Sequence, residues 1–518
     1  MKREKGQVCQ VDKPVDTLAA VKTRDEYLNL KRIEPKVRAL VEGGRTMGES
    51  GERVRRTKRL REAESNVSHQ DEKGDKYRKV DSTISDSFQR YATRSQNASK
   101  SSSRRVSHSK DERKRRPVVK TSGNSTFTAS TSTSYREAAP DPVSTSSKSH
   151  PYLRSKISPP EREDDQDGHY IYKVGENFTK RYKIFSSLGE GTFGKVIECW
   201  DRVRKKYVAI KIIRNVPKYH IAGMIELSVL NTIRKQRSHY PGGRHCVDFI
   251  EWFNYRGHIC IVFSKLGLSL FDLLRKNSYR PFDLFHVQRF SKQLLETVMF
   301  LHEIRLVHTD LKPENILLPT FNYIKPPLSK GSRRGKRVPE KSDIYLIDYG
   351  SATFEDMHHS KVVSTRHYRA PEVVLGLSWS FPCDIWSVGC IIVELVTGEA
   401  LFKTHDNLEH LAMMQKVLGD IPKNMVKNLS SSSQARKYFH EKDGTLTWPQ
   451  SCKLIDSVQA VNALEDLKSL ISNKCDISVK PAIEKLVELL KALLSFDPKQ
   501  RISAKDALNC SFFGIETK

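Results

Sequence analysis

The sequence predicts an α+β protein built as two lobes, strand-rich and then helix-rich, behind a long N-terminal region that does not pack. Three observations carry this. From Tyr182, "YKIFSSLGEGTFGKVIECWD" and then "KKYVAIKII" alternate β-branched and aromatic residues around glycines, the pattern of a small antiparallel sheet. From Asp283 the period changes: Val287, Phe290, Leu294 and Leu301 fall on one helical stripe, and "IEKLVELLKALL" repeats it through Ile483, Leu486, Val487 and Leu490. Before either, Met1 to about Asp167 is rich in Ser, Thr, Lys and Arg, as in "SQNASKSSSRRVSHSKDERKRRP", with too little apolar surface to offset chain entropy. The expected organisation is a disordered basic, Ser-rich region over 1–167 and a folded domain over 182–513, its first lobe about 182–265 and its second about 266–513.

The net charge of the 518 residues is +28, and about half of that surplus lies in the first 150. Such a balance points to acidic partners: nucleic acid, phosphoproteins or an anionic surface. Within the N-terminal region, "RVRRTKRLR" (Arg53 to Arg61) and "RKRRP" (Arg113 to Pro117) read equally as nuclear import signals, polyanion-binding clusters or solvated charge runs. Nine cysteines, scattered and without C-x-x-C spacing, indicate neither a disulfide framework nor a zinc site. The N-terminal "MKREKGQVCQVDKPVD" carries charge where a signal peptide needs an apolar run. The longest apolar stretches, "HICIVF" and "GCIIVELV", are too short to span a bilayer. A reducing compartment, cytosol or nucleus, and no membrane partner are therefore expected.

The motifs that carry chemistry follow one another through the folded region. Leu188, Gly189, Glu190, Gly191, Thr192, Phe193, Gly194, Lys195 and Val196 fit G-x-G-x-x-G-x-V, a strand-turn-strand whose bare backbone can approach phosphate oxygens. "VAIK" then sets Ala209 and Lys211 on the next strand, with the Lys211 ammonium in reach of α and β phosphates, and "MIELSVL" supplies Glu226 to pair with it. In "VHTDLKPENILL", Asp310 is placed to accept a hydroxyl proton, Lys312 to steady a transferring phosphoryl group, and Asn315 to help hold magnesium. "LIDYG" supplies Asp348 as the other metal ligand, and "APE" follows at Ala370 to Glu372. A dozen specified positions in the required order exclude coincidence.

On these residues the region from Tyr182 to about Phe513 resembles a eukaryotic protein kinase domain. "EHLAMM", Glu409 to Met414, narrows the resemblance to the LAMMER family, also called CDC-like kinases, as do "HTDLKPENILL", "HHSKVVSTRHYRAPEVVLGLSWSFPCDIWSVGC" and "KYFH". Alone, Leu411, Met414 and Leu418 would mark an ordinary apolar helix face, and the motif labels the family more than it performs chemistry. The resemblance implies Phe263 beside the adenine of ATP, with Ser264 to Leu266 as the backbone edge that bonds it. It implies Thr365 as a hydroxyl bonded to Asp310 and Lys312, Arg501 paired with Glu372, and Asp384 holding the catalytic-loop backbone. Asp272 is read as a ribose or substrate-Arg ligand, or equally as a capping or solvated acid.

The chain also departs from the common pattern. Thr309 stands where most such kinases carry an Arg that pairs with a phosphorylated activation loop, so activity without that phosphate is expected. Tyr349 replaces Phe after the metal-binding Asp and brings a hydroxyl that needs a partner. LAMMER ends here as Gln415-Lys416, removing one acid, and Ser264 replaces the usual hinge acid. Between Asn315 and Asp348, "PTFNYIKPPLSKGSRRGKRVPEKSD" reads as a mobile basic surface insertion.

The family implies a dual-specificity enzyme using ATP and Mg2+ on Ser and Thr, with Tyr autophosphorylation. It further implies serine/arginine-rich splicing factors as substrates, regulation of pre-mRNA splicing, a monomer, and residence in the nucleus, with cytoplasm as an alternative. Two competing expectations belong to other classes. One is a catalytically weak kinase-fold scaffold. The other is an RNA or splicing-factor tether worked by the basic N-terminal region, where the Arg-Ser pairs Arg94-Ser95 and Arg154-Ser155 are too few for a true Arg/Ser domain.

Overall fold

The computed structural model describes residues 162–325, 336–475 and 479–517. The two basic clusters, both Arg-Ser pairs and part of the expected insertion lie outside them.

Five strands form the first lobe: β1 (Tyr182–Gly191), β2 (Gly194–Asp201), β3 (Lys206–Ile213), β4 (Phe249–Tyr255) and β5 (His258–Ser264). They pair antiparallel in the order β1-β2-β3-β5-β4. The period of two is clear in β3, where Val208, Ile210 and Ile212 are buried while Ala209 and Lys211 face the other side. The buried side joins Ile184, Ile197 and Val262 in a core that also takes in Tyr170 and Phe178, residues ahead of β1. Order therefore begins earlier than composition indicated. Residues 162–167, expected in the disordered region, lie against the N-lobe through contacts such as Asp165–Lys195 at 3.5 Å and Asp164–His258 at 2.8 Å. Short, locally polar segments of this kind are held by distant partners that composition does not reveal. Between β3 and β4 runs helix α1 (Pro217–Gln236), opened by a proline whose missing N–H costs nothing at a first turn.

The second lobe is helical. After α2 (Leu270–Lys276), helix α3 (Leu284–Glu303) buries Val287, Phe290, Leu294 and Leu301, the stripe expected from its spacing. Three two-stranded ribbons follow: β6 (Leu306–Val307) with β11 (Thr353–Phe354), β7 (Ile316–Leu317) with β10 (Tyr345–Leu346), and β8 (Tyr323–Ile324) with β9 (Val338–Pro339). The first two fix the ends of the loops 308–315 and 347–352. The third closes the base of the expected insertion. The short α4 (Pro371–Val374) precedes α5 (Pro382–Thr397), which is buried along its whole length, as its apolar circumference requires.

Helix α6 (Asn407–Leu418) carries the two methionines. Asp406 caps it by accepting from the N–H groups of Leu408 and Glu409 at 2.8 and 3.0 Å. Its buried face is broader than one stripe, since His410 through Met414 are all inside while Leu418 is only partly covered. The methionines are core. Helix α7 (Lys423–Lys427), α8 (Ile455–Asn462), α9 (Leu467–Ser472), α10 (Lys480–Leu493) and α11 (Ala504–Leu508) complete the lobe. Beneath them Arg501 grips Glu372 with two bonds of 2.7 and 2.8 Å, both side chains fully buried.

Candidate active site

The glycine-rich turn is a continuation of the sheet. β1 runs to Gly191 and β2 resumes at Gly194, with Glu190 opposite Lys195 and Val196 opposite both Gly189 and Lys211. Gly194 is obligatory by contact as well as by its φ of +156°, because a Cβ there would stand 2.0 Å from the Ile212 carbonyl oxygen. At the tip, the Phe193 carbonyl accepts from the Arg214 N–H at 3.0 Å and the Phe193 ring meets Tyr219 edge-on. Leu188 is exposed at the mouth of the strand.

Below the turn, β3 carries Lys211 and α1 carries Glu226. The Lys211 ammonium donates to both Glu226 oxygens at 2.7 and 2.9 Å and to Asp348 Oδ1 at 3.0 Å, so one cation joins the two lobes. Burial alone would depress Lys211, but the carboxylates of Asp348 and Glu226 outweigh it and hold the ammonium charged. Asp348 is drawn down to about 2, chiefly by Lys211. Glu226, deeply buried, is pushed up by desolvation against the pull of the same lysine. The Asp348 side chain remains 42% exposed, open to the cleft.

Across the cleft, Asp310 is held from three sides. Its Oδ1 accepts from the Thr365 hydroxyl at 2.6 Å and the Thr365 N–H at 3.1 Å, and its Oδ2 accepts from Lys312 Nζ at 2.6 Å. Lys312 also reaches the Thr365 hydroxyl at 3.2 Å, and Asn315 Nδ2 donates to the Asp310 carbonyl at 2.9 Å. The loop beneath is fixed by Asp384, whose buried carboxylate accepts from the N–H groups of His308 and Thr309 at 2.8 and 2.9 Å. Thr309 takes a φ of +66°, a strained setting for a β-branched residue, and Asp348 one of +62°, a region aspartate enters more readily. Both flank the cleft.

At the back, β5 sets Phe263 opposite Ala209 of β3, the ring tilted against Phe249. The segment after it is anchored by Ser264 N to the Asp248 carbonyl at 2.9 Å and Gly267 N to the Leu318 carbonyl at 2.8 Å, with Leu266 between them. The Ser264 hydroxyl turns to Asp248, 2.8 Å away, so Ser264 does not stand in for an acid. Two side chains here escaped sequence reading. Lys265 forms an ion pair with buried Glu198 of β2, whose other oxygen takes the Ser186 hydroxyl at 2.6 Å. An acid lodged between the apolar Ile197 and Cys199 was the available signal. Ser269, not Asp272, caps α2, accepting from the Asp272 N–H at 2.9 Å, while the Asp272 carboxylate accepts the Ser269 hydroxyl at 2.9 Å and pairs with Arg275 at 2.7 Å.

The segment from Asp348 to Glu372 is held by the Lys211–Asp348, Arg305–Glu355 and Arg501–Glu372 ion pairs and by bonds to backbone carbonyls. Thr309 donates to the Ser351 carbonyl, and Arg369, also missed, donates to the carbonyls of Val363 and Ser364 at 2.9 and 2.8 Å. Tyr349 is fully enclosed, its hydroxyl donating to the Leu346 carbonyl at 3.4 Å beside the Cys246 thiol, which burial pushes up to about 11. The extra hydroxyl thus has its partner.

Residues 182–513 match the family model of the protein kinase domain. The chain is 54% identical over 361 residues to the serine/threonine-protein kinase AFC2 of Arabidopsis thaliana, which spans 69% of this chain and 82% of that one. It is 47% identical over 355 residues to the dual specificity protein kinase lkh1 of Schizosaccharomyces pombe (68% of this chain, 49% of that one). With the human dual specificity protein kinase CLK4 it shares 42% over 357 residues (69% and 71%). A solved kinase-domain crystal structure superposes with a TM-score of 0.60 at 32% identity, covering 67% of this chain and 100% of the other.

Proposed function

The chain belongs to the protein kinase family, in its LAMMER or CDC-like dual-specificity branch, and from that premise we propose that it phosphorylates Ser and Thr of arginine/serine-rich splicing proteins in the nucleus, using ATP with Mg2+. The family entails ATP, a divalent metal ion and protein substrates. The cleft suits them. A Cβ at Gly189 or Gly191 would meet nothing within 4 Å, so the loop has free space along it, and the Asp348 carboxylate with the Asn315 amide offers hard oxygens to a divalent cation. When bound, ATP with its metal supplies the γ-phosphoryl group and neutralises charge on the phosphate oxygens.

The chain's own residues then supply position and field. In this reading Lys211, held by Glu226, orients the phosphates, and the backbone of Leu188–Val196 covers them. Asp310, kept in one rotamer by Thr365, accepts the proton of the attacking substrate hydroxyl, while Lys312 offers positive charge where the phosphoryl group passes. Ala209, Phe263, Ser264 and Leu266 receive the adenine. The observation that carries this reading is the Asp310 carboxylate, bonded at once to Thr365 and Lys312 and facing a cleft closed by Lys211 and Asp348.

Arginine-rich substrates are chosen from the resemblance to the LAMMER family and not from the chain's overall charge, which is itself basic. The decisive experiment is radiolabelled phosphate transfer from ATP and Mg2+ to an Arg/Ser peptide, wild type against Asp310→Asn. Transfer lost in the variant supports the reading. Folded, nucleotide-binding wild type that transfers nothing to Arg/Ser or generic peptides leaves the scaffold.

A further inference from the structure

Residues 162–170 do not lead directly into β1. They cross the N-lobe and meet the structures that border the phosphate side of the cleft. Asp164 receives the fully buried His258 at 2.8 Å and the Asn215 amide at 3.1 Å. Asp165 faces Lys195 of the glycine-rich turn at 3.5 Å. The Asp167 carbonyl accepts Arg214 Nε at 2.7 Å, and the Gly168 carbonyl accepts the Asn215 N–H at 2.8 Å. Gly168 is required there: its φ is +76°, and a Cβ would stand 2.8 Å from Val216 Cγ2.

Arg214 passes this anchorage onward. Its N–H bonds the Phe193 carbonyl, its Nη1 lies 3.4 Å from the Thr192 carbonyl at the turn's tip, and the same nitrogen is 3.3 Å from the Tyr219 hydroxyl in the first turn of α1. The guanidinium also stacks over the Tyr219 ring at 4.7 Å. One side chain therefore joins the segment, the turn and the helix that bears Glu226.

We propose that residues 162–170 form a strap that positions the nucleotide loop and α1, and that Arg214 is the positioning residue through which it acts. This rests on the phosphoryl-transfer reading for the role of the loop. A glycine-rich turn loses much chain freedom when it closes on a ligand, and a tether that removes part of that freedom beforehand lowers the cost of binding. The strap touches nothing at Asp310. Its loss is accordingly felt in nucleotide affinity and not in the transfer step.

The test uses the full chain with Arg214→Met, Arg214→Lys and Gly168→Ala, measuring kcat, the KM values for ATP and an Arg/Ser peptide, and ADP affinity by calorimetry. In Arg214→Met the KM for ATP is expected to rise about fivefold to tenfold, the scale of lost charge-assisted bonds, with ADP affinity falling alike and kcat and peptide KM within about twofold. Lys, which keeps the charge without the fork, falls between. Gly168→Ala, which disturbs the strap without touching Arg214, moves ATP KM the same way and adds little to Arg214→Met. Unchanged ATP KM and ADP affinity in folded Arg214→Met and Gly168→Ala overturn the strap. A kcat that falls with no change in nucleotide affinity overturns it as well. If wild type binds ADP but transfers nothing, the transfer reading fails, while the ADP comparison still decides the strap.

Discussion

Thr309 donates its hydroxyl to the Ser351 carbonyl at 2.8 Å, so the residue before Asp310 is tied to the segment after Asp348 by a neutral bond. Arg369 secures the far end of that segment through the carbonyls of Val363 and Ser364. Both contacts are made to backbone carbonyls. Phosphatase-treated enzyme is expected to keep more than roughly half of its transfer rate to an Arg/Ser peptide, since Thr309 stands directly before Asp310 where a phosphate-pairing guanidinium would otherwise be. Inert dephosphorylated enzyme, revived by phosphorylation within 351–365, would sink this.

The Arg501–Glu372 pair is wholly buried and bidentate. Glu372→Gln leaves the guanidinium without its countercharge and is expected to lower unfolding stability by about 3 to 5 kcal/mol. Urea denaturation measures it. A loss below about 1 kcal/mol would mean that the carbonyls of Ser495 and Phe496, which also accept from Arg501, suffice alone.

Glu394 is buried against Tyr368, whose hydroxyl donates to it at 2.7 Å, and desolvation lifts its carboxyl to about 7 in spite of that bond. Its ordinary value is 4.5. With the folded value above the unfolded one, the native state binds the proton more tightly. Stability contributed by this group is then full below pH 4.5 and is lost as pH rises to about 7, by about 3 kcal/mol in total. Glu394→Gln should flatten the change in unfolding free energy between pH 5 and 8; an identical slope in the variant would refute the assignment.

His410, the second residue of "EHLAMM", is fully buried, and neither ring nitrogen has a hydrogen-bond partner among the described residues. Burial, reinforced by Arg366 and Arg369, drives its pKa well down and keeps the ring neutral. An apolar side chain of similar size removes two stranded polar atoms. His410→Leu is expected to be neutral or stabilising by up to about 2 kcal/mol in thermal or urea unfolding. A loss exceeding that amount would show that the nitrogens are paired in solution.

The sheet, the helix stripes and the spacing of Lys211, Glu226, Asp310, Asn315 and Asp348 were legible because each depends on local period or on short motifs with fixed offsets. Long-range pairings were not. Glu198 and Lys265 stand 67 residues apart, and Asp164 and His258 stand 94 apart, so only folding brings them together. Asp272 was ambiguous because Asp near a helix start serves capping and ligand binding with the same side chain. The covered breadth of α6 escaped the periodic reading because neighbouring segments, not the helix's own sequence, close over His410.

Tyr170 and Phe178 lie inside the N-lobe core, packed edge to face at 5.2 Å and against Tyr255, yet both precede Tyr182, where the match to the protein kinase domain model begins. The domain model and the unit of folding therefore have different lengths. A boundary drawn at 182, the first residue of the domain-model match, passes through a hydrophobic core: it would expose the face that two aromatic rings cover, at a cost of several kcal/mol by the usual scale of aromatic deletions. A recombinant domain cut there would be marked by poor solubility and weakened stability, and these would be consequences of where it was cut rather than properties of the enzyme.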